Sequence, residues 1–163
     1  MKFIEAFFLG LLIACTSLIS QVFFTVIAEL FFRFNLNFEY TLDDSIMYIT
    51  LTILIAATIE ELLRYIVIKK RMCTDSHPIA TTLIQGIFLG FGFTLFEIIL
   101  VSLSTSIVNI PITMILPVLT MHITLSIFLL FTIKPNQSKS KDTLYILLAI
   151  VFHTIGNLLI YFL

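Results

Sequence analysis

Apolar residues run along this chain in five long blocks, near 4–32, 45–68, 79–108, 112–133 and 143–163, separated by short polar interruptions. Each block is as long as the roughly 20 residues that a helix needs to cross a bilayer. None alternates strictly between apolar and polar positions, as the ten-residue strands of a membrane barrel do. The pattern predicts an all-α, polytopic membrane helix bundle of about five transmembrane helices, forming a single transmembrane domain over residues 1–163. None of the polar interruptions is long enough to fold as a separate soluble domain.

Composition and charge sharpen this reading. Of 163 residues, 60% are hydrophobic and 12% charged, and the mean hydropathy is +1.13, well beyond the range of a soluble domain. The net charge of -1 conceals a sorted distribution. If the N-terminus is cytoplasmic, that side collects Lys2, Lys69, Lys70, Arg71, Lys134, Lys139 and Lys141, against Arg33 with Glu39, Asp43 and Asp44 on the other. Such a bias predicts a cytoplasmic N-terminus and, after five crossings, an external C-terminus. The opening "MKFIEAFFLGLLIAC" resembles a lipoprotein signal ending at Cys15, but the apolar run continues through "SLISQVFFTVIAELFF", which suits a retained helix. Cys15 and Cys73 are the two cysteines, too few for a disulfide framework or a Cys-based zinc site. Glu29 and Arg33, four residues apart, read as a local ion pair at the outer end of the first helix.

Setting the loops aside leaves a short group of polar residues at membrane depth: Glu60, Glu61 and Arg64 on the second helix, Glu97 on the third, His122 on the fourth, and His153 and Asn157 on the fifth. A central charge costs about 2.5–3.5 kcal/mol to insert, so such residues face the bundle interior. Arg64 lies four residues after Glu60 and three after Glu61, close enough to pair with either carboxylate across one turn. His153 and Asn157 share a face, with Gly156 beside them. Gly86 and Gly90 form a small-residue stripe that lets the third helix pack tightly, leading to Phe93 and Glu97. At ~1.5 Å of rise per residue, Glu60, His122 and His153 fall at one level, ~14–17 Å from the basic end. Glu97 falls ~29 Å from Pro78, which predicts a tilted or extended third helix. Pro117 is placed to kink the fourth helix ahead of His122. Two carboxylates in different environments, with histidines at the same depth, suit acid and base chemistry. Two histidines and a glutamate are also a sufficient first shell for catalytic zinc, although no His-Glu-x-x-His spacing is present.

The order "EELLR" (Glu60, Glu61, Arg64), "FTLFE" (Phe93 to Glu97), His122 and "HTIGN" (His153 to Asn157) resembles the motif set of the CAAX-protease-like and bacteriocin-processing membrane enzymes. In that superfamily a double-Glu motif ending in a basic residue precedes a Phe-x-x-x-His or Phe-x-x-x-Glu motif and then a His-x-x-x-Asn or Asp motif. The three-residue step from Glu61 to Arg64 and the Glu at position 97 are similar to the PrsW-like branch. The resemblance spans roughly residues 57–160 and implies an intramembrane protease, while the compact size and the lack of organelle signals point to a prokaryotic plasma membrane. Its substrate would be a membrane-anchored protein or peptide, with the bilayer as the other partner and no nucleic acid involved. By resemblance, Glu60 is the general base that activates water, Glu97 positions that water with His122 assisting, and His153 and Asn157 donate to the oxyanion. Arg64 and Glu61 hold the catalytic glutamate, and no cofactor is required, zinc being the alternative. Two other functions stay open: a non-catalytic scaffold or chaperone subunit of the same fold, and an ion or proton carrier, against which the unrepeated helices count.

Overall fold

A computed structural model describes residues 2–35, 42–73, 78–105 and 112–162, with side chains described over 3–27, 49–73, 78–103, 113 and 115–161. Every extended element among the described residues is a helix: α1 (Lys2–Asn35), α2 (Leu42–Val67), α3 (Ile79–Thr105), α4 (Ile112–Thr132) and α5 (Lys139–Phe162). A π-helical turn, Ile68–Met72, extends α2 and closes with the Cys73 amide donating to the Ile68 carbonyl at 2.8 Å. The five helices coincide with the five apolar blocks to within a few residues. The start of α5 is the largest shift, because its first turn is built from the polar residues Lys139 to Asp142 rather than from the apolar run. Among the described residues, Phe3–Ile27, Ile79–Leu103, Ile115–Thr132 and Lys139–Tyr161 are long and apolar enough to cross a membrane. The described part of α2 holds Glu60, Glu61 and Arg64 and is not among them. The expected Glu29–Arg33 pair lies outside the described side chains.

Apolar surroundings leave a backbone only itself to bond with, which is why long helices result. Hydroxyl side chains obey the same constraint. Thr16 donates to the Leu12 carbonyl, Ser20 to Thr16, Thr58 to Leu54 and Thr154 to Ile150, each at 2.7–2.9 Å within its own helix. α4 stays helical through Pro117, whose missing N–H removes one bond from its ladder.

Helix contacts close a ring in the order α1, α3, α4, α5, α2 and back to α1. Ring stacking of Phe3 on Phe88 and the approach of Phe7 to Phe91 run α1 and α3 parallel. Gly86 against Ile127 and Gly90 against Ile123 run α3 and α4 antiparallel. Gly156 on Met121 and Phe128 on Tyr145 do the same for α4 and α5. α2 opposes α5, since Glu61 meets His153 while Tyr65 and Lys69 meet Asp142. Successive helices therefore alternate in direction. The start of α1, the π turn and the α4–α5 connection share one end of the bundle, and this end carries the basic residues expected on the cytoplasmic side. Large apolar side chains such as Phe8, Phe23, Leu103, Leu116, Phe152 and Leu159 point outward, as a lipid-facing surface requires.

At the basic end, Asp142 acts as a polar clasp. It is buried and accepts hydrogen bonds from Tyr65 Oη (2.9 Å), Lys69 Nζ (3.0 Å) and Gln137 Nε2 (2.8 Å). Lys69 also donates to the Lys134 carbonyl at 2.5 Å. These bonds tie the end of α2 to the α4–α5 connection and set the register of α2 against α5.

Candidate functional site

Five helices around a ring give the bundle an interior that each can reach, and each sends one or more polar groups into it. α1 brings Gln21, α2 brings Glu60, Glu61 and Arg64, α3 brings Glu97 beside Phe93, α4 brings His122 and α5 brings His153. The side chains of Glu61 and Arg64 are fully buried, those of His122 and His153 are 1% exposed and that of Glu60 is 7% exposed. Glu97 stands apart at 32% exposed, so the cluster reaches the outside of the bundle at α3.

Arg64 organises the inner half. Its Nη1 pairs with Glu61 Oε1 one helical turn away, and its Nη2 lies 3.0 Å from His122 Nδ1. Its guanidinium carbon sits 4.8 Å from the centroid of the Phe93 ring, a cation–π contact that replaces part of the lost hydration. The Phe93 ring in turn lies 4.3 Å from the His122 ring. Because a guanidinium only donates, His122 Nδ1 accepts and the proton of the neutral ring sits on Nε2. That Nε2 is 2.7 Å from Glu97 Oε2. Glu61 serves two partners, since His153 Nδ1 donates to the same Oε1 at 2.6 Å. This fixes the His153 ring and turns its Nε2 toward Glu60 Oε2, 3.3 Å away.

Glu60 is held differently. Gln21 Nε2 donates to Glu60 Oε1 at 2.8 Å, and Arg64 bonds to Glu61 instead. Glu60 Oε2, Glu97 Oε2 and His153 Nε2 are buried without an aligned hydrogen bond among the described residues, as are Glu61 Oε2 and Arg64 Nε, although Glu97 Oε2 lies 2.7 Å from His122 Nε2 and Glu60 Oε2 3.3 Å from His153 Nε2. Orphaned polar atoms at membrane depth are costly, and finding several in one cluster shows that its side chains do not satisfy one another fully.

Of the residues singled out from the sequence, Glu60, Glu61, Arg64, Glu97, His122 and His153 come together. Glu97 joins them despite its distance along α3, because the close α3–α4 contact at Gly86 and Gly90 brings its helix against His122. Asn157 is half-buried one turn beyond His153, and its side chain bonds to none of the cluster among the described residues. Gln21 was not expected. Its signal was available, since an amide in the middle of an apolar helix has no short bond to its own backbone of the kind that Ser and Thr make.

Glu60, His122 and His153 each offer a ligand atom, all within 4.8 Å of one another. The donor chemistry fits a cation in part. His153 has the orienting carboxylate that metal-bound histidines use. At His122 the Arg64 contact leaves a proton on Nε2, the nitrogen nearer Glu97, so that ring ligates only if Arg64 releases it. Compared with protein-family models, curated proteins and solved structures, the chain gives no match.

Proposed function

We propose that the protein is an intramembrane endopeptidase of the CAAX-protease-like and bacteriocin-processing superfamily, nearest its PrsW-like branch, acting in a prokaryotic plasma membrane. It hydrolyses a peptide bond of a membrane-anchored substrate with a water activated by Glu60. The observation that carries this reading is the buried, unbonded Glu60 Oε2, 3.3 Å from His153 Nε2 and grouped with His122 and His153. A carboxylate oxygen free to accept a proton is what a general base requires.

In this mechanism Glu97 and Glu60 orient the water, and Glu60 Oε2 takes its proton as the water oxygen bonds to the peptide carbonyl carbon. The oxyanion so formed is met by N–H donors. His122 Nε2 carries a proton because Arg64 occupies Nδ1, and Asn157 has an amide left unengaged among the described residues. Glu60 then returns the proton to the amine as the carbon–nitrogen bond breaks. His122 thus takes a larger part than the resemblance gives it, and Glu61 with Arg64 supports the histidines more directly than it supports Glu60.

The test compares purified wild type with Glu60→Gln on a broad set of single-span membrane peptides in proteoliposomes, with and without a chelator. Wild type is expected to cleave, Glu60→Gln to be silent, and the chelator to have no effect. Cleavage by a folded Glu60→Gln protein would sink the proposal. Loss of wild-type cleavage in chelator, restored by zinc, would transfer the chemistry to a metal held by Glu60, His122 and His153.

A further inference from the structure

α1 lies outside the motif set that suggested an enzyme, yet it reaches the centre of the cluster through Gln21. We infer that Gln21 is a positioning residue for Glu60: it engages Oε1 and thereby assigns proton acceptance to Oε2. This deepens the hydrolase reading and rests on it.

The hydroxyl side chains just before Gln21 on α1 are satisfied locally. Thr16, Ser17 and Ser20 all donate to carbonyls of their own helix at 2.8–2.9 Å. Gln21 instead spans to another helix and donates to Glu60 Oε1 at 2.8 Å. The two oxygens of Glu60 consequently differ. Oε1 has a donor, whereas Oε2 is buried, unbonded and 3.3 Å from His153 Nε2.

The chemistry of the donor matters. A carboxylate can turn about its terminal torsion, which is broad, so an untethered Glu60 would exchange its oxygens and aim neither reliably. An arginine or lysine at this place would fix the orientation but compete electrostatically for the proton that the base must accept. An amide fixes the orientation with no net charge. The bond also anchors α1, whose backbone approaches α3 closely at Gly10 and Gly92.

The test uses the whole 163-residue chain in proteoliposomes, with Gln21→Leu to remove the donor at similar size. Two readouts are taken. Infrared difference spectra between each protein and its Glu60→Gln counterpart isolate the carboxyl and carboxylate bands of Glu60, and kinetics on a cleaved peptide give kcat and KM. In Gln21→Leu the Glu60 band is expected to move, and kcat to fall about tenfold or more with KM within about twofold, the size of one lost hydrogen bond to a charged group. An unmoved band would overturn the inference whatever the activity. A moved band with unchanged kcat would also overturn it, leaving Gln21 as a helix tie. Should wild type cleave nothing, the hydrolase reading falls separately, and the positional role in that reaction falls with it, while the band still decides whether Gln21 holds Oε1. A merely structural Gln21 would lower thermal stability and change kcat and KM no more in Gln21→Leu than in an apolar α1 substitution of equal destabilisation.

Discussion

A fully buried guanidinium has to be matched from several sides, and Arg64 is matched by Glu61, by His122 Nδ1 and by the Phe93 face. Removing it leaves the fully buried Glu61 charge with His153 Nδ1 as its remaining partner. Arg64→Ala is expected to lower stability by about 3–5 kcal/mol, the range for breaking a buried ion pair from one side. Unfolding in detergent followed by circular dichroism checks this, and a loss under 1 kcal/mol would mean that the pair is not buried in the folded protein. Much of this residue-scale network was legible from spacing, because the three-residue and four-residue steps at 60, 61 and 64 put a cation beside both carboxylates. Which carboxylate it takes was not legible. Glu60 has an alternative partner on α1, and a pairing between positions 21 and 60 is set by tertiary packing that no local period encodes.

At the scale of helices, the site depends on how closely α3 approaches α4. A Cβ built on Gly90 would sit 2.5 Å from Ile123 Cα and 2.6 Å from its nitrogen, so the obstacle is backbone that cannot rotate away. At Gly86 the nearest atom is Ile127 Cγ1 at 2.6 Å, on a side chain that can move, with backbone at 3.0 Å behind it. Gly90→Ala is therefore expected to cost more stability than Gly86→Ala, about 1–3 kcal/mol, the usual range for overpacking. It should also reduce cleavage, since Phe93 and Glu97 lie one and two turns beyond and meet His122 across the same interface. Equal stabilities for the two variants in thermal unfolding would contradict this packing. The glycine stripe was readable in the sequence, and its partner helix was not. Helix existence followed from apolar length alone, whereas the α2–α5 clasp depends on Asp142, which lies just before the apolar block at 143–163.

For the molecule as a whole, five alternating helices put the two termini at opposite ends, and the basic residues of the π turn and of the α4–α5 connection at one of them. The charge bias was legible in the sequence because it needs only the order of apolar blocks and loops, and the contacts between helices give the same alternation independently. Ring order is different information. It brings α1 beside α3 and α2 beside α5, so that a central site can draw on every helix, and nothing in hydropathy distinguishes this order from a simple sequential ring. The basic end is expected on the cytoplasmic side, because Lys and Arg near helix ends favour it. With Cys15 and Cys73 replaced by alanine, Asn37→Cys in the α1–α2 connection should react with an impermeant maleimide in intact cells. Ser138→Cys, which is exposed at the basic end, should react only after permeabilisation. The reverse pattern would invert the protein in the membrane and put Tyr65, Lys69 and Asp142 on the external face. Labelling of both positions in intact cells would mean that the chain between them crosses an even number of times, which five alternating helices do not permit.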